Sequence, residues 1–174
     1  MAAIQCSPYA LASTLVAHLQ GVLADTRAGV ADRVAVYPHP EPAVEFCPSM
    51  AWVAVRQVAP SNGRGTPPPG GCPPVTFLVD LTIGVQRCYP TTPDNGAPLA
   101  AAVDSAARDI LDDAEAMRRA VRDAFDDLDY RVGVWRPVPP QGGSHGSRME
   151  VSVLASPQVW VEPTSPQLPG DPRA

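Results

Sequence analysis

The stretch Gly142-Gly143-Ser144-His145-Gly146 comes nearest to a catalytic device, because a Ser flanked by glycines at this spacing is the pattern of the hydrolase nucleophile elbow. Such a Ser needs a strand feeding directly into a helix, with an acid and then a His later in the chain. Here the next segment reads as a strand and no His follows His145, so a glycine-rich loop is expected. A second stretch, Gly63-Arg64-Gly65-Thr66, has the glycines of a phosphate loop. It lacks the Gly-Lys-Ser/Thr that should follow and a helix start to aim amide groups at an anion. His18 falls on a helix and His39 among prolines, so spacing assigns neither of them a metal-binding partner. The cysteines, at 6, 47, 72 and 88, have no pair with the gap of a zinc knuckle and are too widely spaced for a disulfide scaffold. Reduced thiols are expected. No catalytic residue, metal ligand or cofactor is therefore assigned, and the surface is expected to do the work.

Composition narrows the class of surface. A chain of 174 residues makes one domain with a single core. All 13 basic residues are Arg, scattered from Arg27 to Arg173, and 18 acids leave a net charge of −5. A protein that coats phosphates gathers its cations on one face, because counterion release supplies most of that affinity. No run approaches the ~20 apolar residues of a membrane span, and no basic region precedes the first apolar stretch. Synthesis and retention in the cytoplasm are expected, with no membrane partner.

The elements that position these residues are marked by 22 prolines, which leave four clear windows: 9–37, 49–59, 75–89 and 99–136. Proline lacks a backbone donor and clashes with a preceding helical turn, so each window marks a candidate element. Ser7-Pro8 is an N-cap with proline at the first helical position, and Leu11, Leu15, Leu19 and Leu23 follow at intervals of four, which predicts an amphipathic helix. Arg33 to Tyr37 reads as a short strand. Ser49 to Ala59 and Val75 to Tyr89 read as strands. In the second, Val75, Phe77, Val79, Leu81, Ile83 and Val85 share one face, while Thr76, Asp80, Thr82, Gly84 and Gln86 share the other. The strand around Trp52 and Ala54 is apolar on both faces, as expected of a central or interface-covered strand. Pairing the two about the midpoint of the loop Pro60 to Pro74 makes partner numbers total about 135, which sets Cys47 near Cys88, expected as two core thiols with an oxidised pair as the alternative.

A long helix is predicted from Pro98 to Leu128, with Val103, Ala107, Ile110, Ala114, Met117, Val121, Phe125 and Leu128 on its apolar face. Its length, ~46 Å if unbroken, predicts a bend near Asp112-Asp113. The outer face mixes acids and arginines at helical spacing, which is a solvated surface and not a catalytic carboxylate pair. Tyr130 to Arg136 and Arg148 to Leu154 read as two strands joined by a loop, Pro137 to Ser147. The result is an α+β domain: two helices packed on one face of a largely antiparallel sheet, with long hairpin loops. Residues 1–156 form that domain, and 157–174 form a Pro-rich, flexible tail.

The element order, the arm-like hairpins and the phrases Leu23-Ala-Asp-Thr-Arg-Ala-Gly-Val30, Ile83-Gly-Val-Gln-Arg-Cys-Tyr-Pro90 and Asp113-Ala-Glu-Ala-Met-Arg-Arg-Ala120 resemble tail-terminator or neck (head–tail joining) proteins of long-tailed actinobacterial bacteriophages. The likeness spans Ile4 to Ala155. It implies a structural protein of the virion without enzymatic activity: a ring, usually of six subunits, that caps the tail tube and faces the head-completion proteins. DNA then passes the lumen of a mildly acidic wall without specific binding. The alternatives are a head-closure ring or other neck component, and a small ligand-binding domain or enzyme. In the terminator reading, Arg64 at the tip of the first hairpin, Trp135 and His145 in the second, and Trp160 beyond it are the candidate partner contacts.

Overall fold

The computed structural model describes residues 7–39, 49–61, 76–92 and 96–155. Seven elements follow in the order α1 (Pro8–Leu23), β1 (Arg33–Tyr37), β2 (Met50–Ser61), β3 (Thr76–Cys88), α2 (Ala100–Ala124), β4 (Asp129–Gln141) and β5 (Ser144–Ala155). The strands form one sheet in the order β1-β2-β3-β5-β4, antiparallel except for the parallel pair β1–β2. This is the expected α+β architecture, with one parallel edge.

α1 begins where its capping signals place it. The Ser7 hydroxyl accepts from the Ala10 amide at 3.0 Å, satisfying one of the donors a helix start leaves over. Leu11, Leu15, Leu19 and Leu23 are all buried against the sheet. The starts of β1 and β2 are braced by Asp32, whose carboxylate accepts from the Ser49 hydroxyl at 2.7 Å and the Ser49 amide at 2.9 Å. Those bonds hold the Asp32 carboxyl below its ordinary value.

The core lies between the helices and the odd-numbered face of the sheet. There Ala51 and Val53 of β2, Val79, Leu81, Ile83 and Val85 of β3, and Met149, Val151 and Val153 of β5 meet the leucines of α1 and Met117, Val121 and Phe125. The β2–β3 register departs from the loop-midpoint inference by one residue before a bulge between Val55 and Gln57, and by two beyond it: Val53 pairs with Ile83 and Ser61 with Thr76. A one-residue slip would have set Val53 opposite a residue of the wrong face, so the hydrophobic pattern overrides the loop midpoint.

α2 runs unbroken for 25 residues, shorter than the predicted Pro98 to Leu128, so the length that called for a bend at Asp112-Asp113 is reduced. At 1.5 Å per residue the helix is roughly 37 Å long, short enough to need no bend. Ile110, Ala114, Met117, Val121 and Phe125 are buried as expected, but Val103 and Ala107 are exposed and Ala106, Ala116 and Ala120 are buried instead. The stripe also contains a charge. Asp113 is fully buried and receives Arg87 of β3 in a two-pronged pair, Nε at 2.9 Å and a terminal nitrogen at 2.8 Å. Arg87 also donates to the Gly29 carbonyl at 2.8 Å and the Ala28 carbonyl at 3.4 Å. Gly29 has φ of +69°, a conformation glycine adopts without steric cost. One guanidinium thus ties the segment after α1 to both β3 and α2, and Arg27 adds a second tie to α2 through Ser105 and Asp109.

Cys88, expected as a reduced thiol, is disulfide-bonded, and its partner lies outside the described residues. The expected proximity of Cys47 to Cys88 and the Pro-rich tail from 157 also fall outside the described residues.

Candidate functional site

Residues 137–147, expected to be a loop, are mostly strand. β4 and β5 continue to Gln141 and from Ser144, closing in the two-residue turn Gly142-Gly143 with φ of 55° and 82°. Positive φ at both positions is what the twist of a tight hairpin requires. The prolines at 137, 139 and 140 are admitted because β4 is an edge strand.

This extension builds a hollow on the face of the sheet away from the helices. Two cross-strand rows define it: Trp52, Gly84, Arg148 and Arg136 in one, and Met50, Gln86, Gly146 and Val138 in the next. Both interior glycines are needed. A Cβ on Gly84 would lie 2.4 Å from the Trp52 ring, and one on Gly146 would lie 2.4 Å from the Val85 carbonyl oxygen. The indole therefore lies across Gly84, and bare backbone at Gly146 forms the floor. Gln86 donates to the Ser144 hydroxyl at 2.6 Å, and Ser144 donates to the Gln141 carbonyl at 3.1 Å, fixing the far wall. The cavity is about 310 Å³, mostly apolar, with Arg136 and Arg148 among its lining. Glu150 lies beside it, 3.0 Å from Arg56 and 3.6 Å from Arg136. A Gly146→Ala variant must displace backbone and is expected to lose about 1–3 kcal/mol in a urea titration.

Of the expected contact residues, only His145 is among those lining the hollow. Arg64 and Trp160 lie outside the described residues. Trp135 is half-buried against the core, and among the described residues its indole nitrogen has no hydrogen-bond partner. His145 is buried on the helix side, edge-on to Tyr89 at 5.2 Å between ring centres. The hairpin thus carries both rings on its core side, and apart from His145 the hollow is lined by residues to which the sequence assigned no contact. The Ser144 hydroxyl is engaged by Gln86 and main chain, away from the His145 ring. Gly84 in an otherwise regular strand and the Trp52 alternation were the only sequence signals for the hollow. Among the described residues, no group of His, Cys, Asp and Glu could hold a metal ion, and no helix is long and apolar enough to cross a membrane.

Burial pushes the His145 imidazole below its ordinary value of 6.5, opposed by the charges of Asp109 and Asp113 and aided by Arg87. The folded state therefore favours neutral imidazole. Stability from this residue is complete above the unfolded pKa, about 6.5, and is lost as pH falls from there toward the lower folded value, because the unfolded chain takes the proton first. Thermal melts between pH 7.5 and 5 are expected to show this decline, and a His145→Gln variant to show less of it.

No protein-family model matches this chain, and no curated protein matches it either.

Proposed function

We propose that this chain is a structural virion protein of a long-tailed phage, forming a ring at the head-proximal end of the tail, where it ends tube polymerisation and joins tail to head. The observation that carries this reading is a sheet clothed on one face by its own helices and unpaired, among the described residues, at both edges, β1 and β4, with Met50, Trp52 and Ala54 buried as a second apolar cluster on its other face. β4 adds Val132, Val134 and Val138 as exposed apolar side chains along its edge. Ring subunits need such surfaces, because a contact between two different patches repeats until the rotation closes. The element order and the three phrases that resemble neck proteins supply the phage context, with the tail tube and head-completion proteins as axial partners.

Deleting residues 62–71 of the β2–β3 connection is expected to leave a folded protein that no longer joins heads to tails. Unchanged infectivity of phage carrying the deletion refutes the reading. A head-closure ring is separated from a terminator by locating a labelled subunit in purified particles. The cavity beside Trp52 favours one second reading, a small ligand-binding domain. That reading predicts a metabolite-dependent rise in melting temperature by a monomer.

A further inference from the structure

We propose that the arginine-edged hollow on the face away from the helices receives the acidic corner Asp126–Asp127–Asp129 of a second copy of this chain. The inference rests on the ring reading above and assigns its lateral contact. The hollow is lined by Arg136, whose side chain is more than half exposed, and by Arg148, which is already engaged within the chain, with the buried Trp52 behind them, in a protein of net charge −5. Arg136 is held only at 3.6 Å by Glu150, whose nearer partner is Arg56 at 3.0 Å, so a second carboxylate can take it without leaving Glu150 unpaired. Guanidiniums beside an aromatic wall are the groups that bind carboxylates in two-pronged fashion.

The acids are concentrated where the isolated chain holds them least well. Asp126, Asp127 and Asp129 are exposed and follow directly on the C-terminal end of α2, where the helix dipole is already negative. Three acids on the outer face of α2 are matched with arginines, Asp104 with Arg108, Glu115 with Arg118 and Asp123 with Arg122, while Asp112 is not. Among the described residues, none of the three corner acids has such a partner. The two patches sit at opposite ends of β4: seven residues, roughly 24 Å of strand, separate Asp129 from Arg136. They cannot meet within one chain. A contact between different patches on identical subunits is heterologous, and its repetition generates a closed ring or an open chain.

The test uses the full chain in sedimentation velocity at low salt and at 0.5 M salt. The expected result is that the wild type assembles at low salt and dissociates at high salt, while R136E/R148E and D126R/D127R each associate at least tenfold more weakly. Mixing the two variants, or combining all four substitutions in one chain, is expected to restore assembly, because each reversed hollow then meets a reversed corner. The milder pair R136Q/R148Q and D126N/D127N serves if a reversal variant shows an altered circular dichroism spectrum; each alone is expected to weaken association, and a mixture to form pairs through the one native contact left between them without growing further. Assembly unaffected by either set of substitutions overturns the proposal but leaves a ring built through other surfaces. A wild type that is monomeric at low salt and millimolar concentration also overturns it. So does a melting temperature raised by succinate or inorganic phosphate with no change in association, which makes the hollow a small-anion site. The ring reading itself is judged separately, by subunit location in the particle.

Discussion

An Asp113→Ala variant is expected to lose about 3–5 kcal/mol of stability, because it strands the Arg87 guanidinium in a site with almost no access to water. The pair was expensive to bury. Its geometry offsets that cost through two short bonds from Arg87, with two further donors spent on the Gly29 and Ala28 carbonyls. Removing one partner forfeits the compensation and keeps the desolvation penalty. Asp113→Asn is expected to fall between, since the amide still accepts but carries no charge. Replacing both residues together, as Arg87→Met with Asp113→Leu, is expected to recover most of the loss, because an apolar pair needs no solvation. Urea titrations of the four proteins check this. A loss below about 1 kcal/mol for Asp113→Ala would show that water or another cation reaches the site.

Phe125→Ala is the other large effect, also expected at about 3–5 kcal/mol from removing a fully buried ring. Phe125 closes α2, its amide bonding back to Val121 at 3.1 Å, and its ring lies 6.2 Å from that of Tyr130 at the start of β4. It therefore seats the turn that carries the corner acids, and loosening it is expected to weaken self-association as well as folding. Phe125→Leu keeps most of the volume and is expected to cost less than half as much. Equal costs for the two variants would show that the site collapses around alanine.

The helices and strands were legible because their patterns answer to one core. Leu11, Leu15, Leu19 and Leu23 declare a helix face, and the alternation from Val79 to Val85 declares a strand covered on that side. What escaped notice depends on neighbours distant in sequence. Asp113 stands three residues after Ile110 and four before Met117, inside the apolar stripe, and only the position of Arg87 on another element makes a charge tolerable there. Proline at 137, 139 and 140 reads as a loop until the strand is known to lie at an edge. The hollow is less visible still, since two of its defining residues are glycines whose contribution is the absence of a side chain.

The three prolines in the last five residues of β4 have a further consequence for how copies of this chain can meet. An incoming strand laid along that margin finds amide donors only over the half nearer Asp129, so growth by backbone zippering stalls partway along. Fibre-like stacking is thereby discouraged, while side-chain contacts at the hairpin end stay available. A protein that must associate with itself a fixed number of times and then stop is served by that asymmetry.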